Sequence, residues 1–504
     1  MTAEHLDVVI VGAGISGIGV ACQLQRDHPQ RSVALLEARG ALGGTWDLFR
    51  YPGVRSDSDL HTLGYAFAPW HDDQSIADGD RVLAYLRTTA AEHGVDRQVR
   101  FHSRVVGASW SSAEARWTVD VRRTDTGERT TLTCDWLFSA AGYYRYDEGF
   151  TPRFAGRERY RGQVVHPQSW PAGLDPAGRR VLVIGSGATA VTLVPALAAT
   201  AAHVTMLQRT PTYVLPVRRA DPVARRLRSL LGEERAYPLI RRKNVAVQRA
   251  VWAFCRRYPQ AARRLIRRIT AAQLPAGYPV DVHFDPPYDP WRQRLCVAPD
   301  GDLFRAIRAG SATVVTDRVA TFTERGVLLE SGRELEADLV VTATGLSLQA
   351  FGGIALTVDD VPVHPPDTLT YKGLMLSGVP NFAYAIGYTH ASWTLKVGLV
   401  AEHLGRLLAH LDAHGYDACR PEVSGPPMPT SPLLDLTAGY VRRGAGELPR
   451  QGDRMPWRTA SDPRSDAALL RRVPDPELTF TRRLSARRPP PAAAPRPGGA
   501  RGAR

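Results

Sequence analysis

Lysine is almost missing from this chain. Of 64 basic residues only Lys243, Lys372 and Lys396 are lysines. Arginine therefore supplies nearly all the positive charge, a ratio that genome-level codon bias accounts for. Cysteine is scarce as well. Cys22, Cys134, Cys255, Cys296 and Cys419 are scattered, odd in number and without a CxxC pair. That pattern argues against a disulfide framework, a zinc site or a redox cysteine pair, and for a reduced, cytoplasmic setting. No apolar run approaches the ~18 residues that span a bilayer. The first apolar run starts at Leu6 with Glu4 and Asp7 around it, so no targeting segment is expected. Histidines such as His61, His71 and His390 are isolated in sequence, and no bound metal is expected.

What charge there is lies unevenly. The formal net charge is +14, yet 16 basic residues face three acidic ones between Arg218 and Arg268, and seven more arginines follow Thr481. The rest of the chain is mildly acidic. Such segregation predicts contact with an anionic surface, of which membrane lipid is the best candidate. No nucleic-acid recognition motif accompanies it, so nucleic acid is not expected as a partner. A length of 504 residues allows two or three domains with ample core.

Two glycine fingerprints dominate the remainder. Gly12-Ala-Gly14-Ile-Ser16-Gly17 follows an apolar run at 6–11, and Gly185-Ser186-Gly187-Ala188-Thr189-Ala190 follows another at 181–184. Each opens a small-residue helical stretch, the context that separates a dinucleotide site from a chance match. The first glycine permits a tight turn and the second lets the backbone approach a pyrophosphate. The third position packs helix on strand, and the helix N-terminus faces the negative charge. Two dinucleotides are therefore expected. A strand at 32–37 ends in Glu37, placed to take ribose hydroxyls. In the second unit the strand at 203–208 runs instead into Arg209-Thr210. An arginine there removes repulsion from a 2′-phosphate and offers it a bidentate donor, which points to NADPH.

Between the fingerprints lies Tyr160-Arg-Gly162-Gln-Val-Val-His166-Pro-Gln-Ser-Trp170-Pro171, and upstream Gly43-Gly44-Thr45-Trp46-Asp-Leu-Phe-Arg-Tyr51-Pro52-Gly53-Val-Arg-Ser-Asp57. The first resembles the FxGxxxHxxxWP signature, and the second matches the [AG]GxWxxxx[FY]P[GM]xxxD pattern, of Baeyer–Villiger monooxygenases, class B flavoproteins that use NADPH and dioxygen. The likeness runs roughly from residue 6 to 457. Through residues 47–63, 185–212 and 387–396 the chain is most similar to the mycobacterial ethionamide-activating branch. Tyr160 departs from the usual phenylalanine. The Trp170-Pro171 ending differs from that of the sister flavin-containing monooxygenases, which usually close the motif with Tyr or Phe and no proline.

The resemblance implies FAD in the first unit and NADPH in the second. It implies insertion of one atom of O2 into ketones to give esters or lactones through a flavin peroxide, and oxidation of sulfur in thioethers or thioamides. It implies Arg294 as the cation that keeps the peroxide anionic and meets the oxyanion formed on the ketone. Asp57 is the carboxylate that positions that cation. Arg292 competes for the first role, and capping of a helix after Ser56 competes for Asp57. Gln293 stands where many relatives carry a lysine that helps hold the NADPH phosphate, which leaves Arg209 with more of that task. Gly44, Thr45, Trp46 and Tyr51 are expected around the flavin. Gly162, His166 and Trp170 are expected at a hinge, with His166 coupling domain rotation to catalysis rather than acting as a general base. Two rivals remain: a flavin-containing monooxygenase limited to nitrogen and sulfur, and a non-oxygenating NADPH-linked flavin electron carrier. Asp57 and Arg294 favour the oxygen-inserting reading over the first.

The fold class expected is α/β, with two Rossmann-like dinucleotide-binding domains and a helical insert in the second. The FAD-binding parts are 1–150 and 347–470, and the NADPH-binding parts are 151–216 and 291–346. Helical apolar spacing at 227–231, 237–251 and 261–274, ended by Pro275 and Gly277, places the insert at 217–290. Antiparallel strands are expected at 116–122 and 130–133 around Thr126-Gly127, then a buried strand at 136–142 whose Gly142 lies against the dinucleotide. Further strands are expected at 312–316 and 338–344, and one led in by Gly378-Val-Pro-Asn381. A basic tail is assigned to 471–504, disordered from about Arg482.

Overall fold

Two sheets organise the chain. The structure, a computed structural model, describes residues 3–483 except Ser461. In the first sheet Glu4–Val11 lies between Val33–Leu36 and Arg129–Ser139, all parallel, with Val99–Arg100 at the edge. Val8, Val9 and Ile10 are fully buried. A parallel strand covered on both faces reads as a continuous apolar run rather than an alternation. Arg116–Arg123 and Ser103–Ser111 continue the sheet antiparallel. The segments expected as separate strands at 130–133 and 136–142 form one strand, Arg129–Ser139. Its first half pairs with Arg116–Arg123 and its last residues with Phe382–Tyr384, so one edge passes from an antiparallel partner to a parallel one without a break. Gly142 falls in the turn beyond it, at φ +70°.

The second sheet has five parallel strands in the order Ala312–Thr316, His203–Gln208, Arg180–Ile184, Leu339–Thr342 and Gln163–Val165. Helix Ala188–Leu197 covers its core. In the first unit, helix Ile15–Asp27 and the 22-residue helix Trp393–His414 pack together over the sheet. The chain leaves the first sheet through Tyr144–Gly149 and returns through Leu346–Leu348. These crossing segments pair antiparallel, so the connection is a two-stranded ribbon.

After His203–Gln208 come helices Pro222–Leu231, Glu233–Arg257 and Pro259–Ala271. The first two outrun the apolar spacing at 227–231 and 237–251, while the third starts two residues before 261 and stops at Ala271, short of the expected 274. Asp221 caps the first by accepting from the Val223 and Ala224 amides, with Pro222 at its first turn. The second opens on Glu233 and Glu234 and closes on Arg256 and Arg257, charges that suit the helix dipole. Among the described residues, eleven of the fourteen exposed large apolar side chains fall between Val223 and Val282. Apolar and arginine side chains are therefore exposed together along the insert.

Residues 471–483, assigned to the tail from composition, belong to the fold. Leu478–Thr481 pairs with Ala418–Pro421, and Asp475 meets the buried Lys372 ammonium at 3.1 Å. The apolar and acidic residues of this stretch anchor it. The arginine- and proline-rich segment from 484 onward lies outside the described residues.

Candidate active site

Both fingerprints present bare backbone at a helix start. Helix Ile15–Asp27 begins at Gly14 and helix Ala188–Leu197 at Gly187; neither has a side-chain cap or an acid in its first turn. Their first N–H groups, including those near Ser186, Ala188 and Thr189, are left for an anion. Gly12 turns at φ +101°, and a Cβ on Gly17 would lie 1.9 Å from the Gly12 carbonyl oxygen. Gly185 turns at φ +139°, where a Cβ would meet the Ala343 oxygen at 2.2 Å. Gly44 meets Gly14 backbone to backbone, 2.9 Å from Gly14 Cα to a Cβ built on Gly44. Glu37, 5% exposed, accepts from the Ala13 and Arg39 amides, both at 2.9 Å. Burial pushes its carboxyl above the usual range, and its remaining lone pairs suit ribose hydroxyls. A dinucleotide fits this cradle.

The upstream motif divides between the two units. Thr45 Oγ1 shares a 2.8 Å hydrogen bond with the Tyr146 hydroxyl, and Trp46 packs half-buried near Leu60 and Trp393. Ser16 Oγ accepts from Trp393 Nε1 at 2.8 Å. Tyr51 instead packs in the core of the second unit, its hydroxyl within reach of Thr189. Burial pushes that hydroxyl up to about 12. Tyr51 thus clamps the motif onto the second fingerprint's helix.

Of the residues expected at a hinge, His166 lies at the crossing ribbon, whereas Gly162 lies at the opposite end of strand Gln163–Val165 and Trp170 lies on the second unit's core. The Tyr160 hydroxyl donates to the Ala337 carbonyl at 2.9 Å, which gives the tyrosine a partner that phenylalanine would not need. A Cβ on Gly162 would lie 2.2 Å from that hydroxyl. His166 Nδ1 accepts from the Gln168 amide, and Nε2 faces the Gly345 carbonyl, both at 3.1 Å. Burial lowers the imidazole's basicity, so the ring is neutral with both nitrogens engaged. Gln168 Nε2 reaches back to the carbonyls of Arg145 and Tyr146, and Trp170 packs against the second unit's core.

Arg294 faces Asp57, with Nη2 3.3 Å from Oδ1 and the side chains 36% and 28% exposed. Asp57, against the opposing effect of burial, holds the guanidinium more firmly protonated than usual, and Tyr143, Tyr440 and Tyr144 add to this. The Tyr143 and Tyr144 hydroxyls are 3.1 Å apart, and the Tyr143 ring lies 5.4 Å from Trp393. Arg292 is exposed; its amide donates to the Asp289 carbonyl and its carbonyl accepts from Thr437, so it is held by its backbone. The helix Leu60–Leu63 is capped by Asp59, not Asp57. Arg209 is exposed at its strand end, while the Thr210 carbonyl accepts from Ser186 Oγ at 3.0 Å. The aromatic surround was missed from sequence. Its one signal is the Tyr143-Tyr144 doublet just past a parallel strand's C-terminal end, where ligands of α/β sheets bind.

A cavity of about 160 Å³ opens beside Trp291, with Trp252, Tyr388, Leu434 and Lys396 in its wall. Lys396 is buried against the equally buried Asp466 at 2.7 Å, and the Tyr388 hydroxyl donates to the same carboxylate at 2.6 Å. Burial lowers the ammonium's basicity, and Asp466 opposes this.

Comparison with known proteins follows the same lines. The flavin-binding monooxygenase-like family model matches residues 5–223. FAD-containing monooxygenase EthA of Mycobacterium tuberculosis is 52% identical over 483 residues, 95% of this chain and 98% of that protein. EthA of Mycolicibacterium smegmatis is 48% identical over 486 residues, covering 96% and 98%. Oxidised steroid monooxygenase bound to NADP superposes with a TM-score of 0.74 at 22% identity, over 95% of this chain and 100% of that one. OTEMO in complex with FAD and NADP gives 0.71 at 22% identity, over 83% and 87%. At that identity the solved structures show the shared fold.

Proposed function

The chain belongs to the FAD-containing monooxygenase family, and from that premise we propose an FAD- and NADPH-dependent Baeyer–Villiger monooxygenase. It inserts one atom of dioxygen into ketones to give esters or lactones, and oxidises sulfur in thioethers or thioamides. The observation that carries this reading is the Arg294–Asp57 pair within its ring of tyrosines. Bound flavin supplies the redox and oxygen chemistry. Residues 1–150 and 347–470 hold FAD through Gly12, Gly14, Gly17 and Glu37. Residues 151–216 and 291–346 hold NADPH through Gly185, Gly187 and Arg209, with 217–290 as the insert.

Arg294 provides a fixed positive charge where negative charge develops on the attacked carbonyl oxygen. Asp57 orients that charge. Tyr143, Tyr144, Tyr440 and Trp393 keep water from the reacting atoms. His166, bonded across the ribbon to Gly345, ties the two units so that rotation of one is felt at the other. The exposed apolar and arginine side chains of the insert support peripheral contact with an anionic membrane from the cytoplasmic side.

The test is product analysis. Purified protein is incubated with NADPH, oxygen, a ketone and a thioether, and products are identified by mass spectrometry. Ester from the ketone is the expected result. Sulfoxide without ester would instead indicate a monooxygenase limited to soft nucleophiles. NADPH consumption with neither product would indicate an electron carrier.

A further inference from the structure

We propose that Arg443 is a second cation for the ribose 2′-phosphate of the nicotinamide dinucleotide, acting beside Arg209. This rests on the NADPH reading above and adds a residue from the chain's return segment, far in sequence from either fingerprint.

Arg443 sits on the short helix Gly439–Gly444 with its guanidinium carbon 3.4 Å from the centre of the Phe150 ring. Phe150 is fixed in turn. Its amide donates to the Gly345 carbonyl at 3.0 Å, and the Thr344 hydroxyl donates to its carbonyl at 2.6 Å. One Arg443 nitrogen lies 3.5 Å from a Cβ built on Gly345. Gly345 is two residues past Ala343, whose carbonyl closes against Gly185. The stacked guanidinium therefore stands at the mouth of the second fingerprint.

Arg209 is near enough for its charge to act on Arg443. Burial first, and then Arg209, lower the basicity of the Arg443 guanidinium. Among the described residues neither arginine takes part in an ion pair with a carboxylate, although arginines elsewhere on this surface commonly do. Two arginines brought together without an acid repel each other until an anion arrives. Their planar forks suit a phosphate monoester. Tyr440, three residues earlier and on the same helical face, lies beside Arg294. One short helix thus carries one side chain beside Arg294 and another within the field of Arg209.

The test needs no turnover. Oxidised holoprotein is titrated calorimetrically with adenosine 2′,5′-bisphosphate and with adenosine 5′-monophosphate. Arg443→Gln is expected to raise Kd for the bisphosphate about tenfold or more, as for one lost charge-assisted contact, with the monophosphate within about twofold. Arg443→Lys keeps the charge without the flat fork, and serves if the glutamine variant misfolds. It is expected to weaken the bisphosphate alone, by about threefold. Equal weakening of both nucleotides, or of neither, overturns the assignment. Arg209→Gln separates the two levels. Lost discrimination in Arg209→Gln but not in Arg443→Gln rejects Arg443 and leaves the NADPH reading standing; retained discrimination in both rejects that reading as well.

Discussion

Arg294 is governed by its neighbours rather than by its place in the sequence. Asp57 faces it from the upstream motif, Tyr143 and Tyr144 from the entry to the ribbon, and Tyr440 from the return segment. Arg294→Ala is expected to bind FAD and to be reduced by NADPH, since neither fingerprint is touched. Ester formation should fall by ~100–1000-fold, the loss typical of removing an oxyanion donor. Asp57→Ala should show a milder form of the same defect, because it misplaces the arginine rather than deleting it. Rapid-mixing reduction kinetics alongside ester yield check both; unchanged ester yield in Arg294→Ala would remove it from the reaction. Asp57 and Arg294 were legible because each lies in a segment whose order of residue types is distinctive. Tyr440 and Trp393 were not, because tertiary folding alone brings Tyr440 to Arg294 and Trp393 to Tyr143, and no local period marks either.

At the scale of elements, the parallel strands announced themselves as apolar runs flanked by glycine turns, while boundaries set by pairing did not. Arg129–Ser139 was read as two strands because its exposed first half and buried second half look unlike each other. Apolar spacing under-reaches the first two insert helices because arginine-rich turns carry no apolar period, and over-reaches the third by three residues at its C-terminal end. Burial of titratable groups within these elements has a consequence for pH. His403, in Trp393–His414, is pushed down to about 3 by burial, and His61, in Leu60–Leu63, to about 4. Each is neutral in the fold but takes a proton in the unfolded chain near pH 6.5. Their stabilising effect is therefore complete above that pH and is lost as pH falls, at ~1.4 kcal/mol per pH unit for each fully titrating group. Asp59, pushed up to about 6 by burial, acts oppositely and returns part of the loss between pH 6 and about 4. The net expectation is a stability that declines from pH 6.5 to 4.5, measurable by urea unfolding across that range. A flat or rising profile would contradict neutral burial of the two histidines.

For the molecule as a whole, charge segregation was visible in the sequence, whereas the apolar side chains sharing that surface were not. Apolar spacing over 237–251 marks a helical face suited to packing; in the folded chain Val247 and Val251 within it are exposed, as are Phe254 and Tyr258 beyond it. Binding to anionic vesicles is expected to fall steeply with salt, because exposed charges are screened beyond ~8–10 Å at physiological ionic strength. Phe254→Ser with Leu265→Ser should weaken it at constant net charge. Vesicle co-sedimentation checks this, and binding indifferent to salt and to both substitutions would exclude the insert as the contact. The scarcity of lysine has a practical side. Lys372 and Lys396 are sealed in the interior, and Lys243, paired with Asp221 on the insert, is the remaining lysine. Amine-directed coupling, which scatters over dozens of positions on an ordinary protein, would find a single lysine side chain within reach. A support charged by that chemistry would hold each copy by its insert or by the chain's α-amine, which is the less basic of the two, rather than at dozens of points.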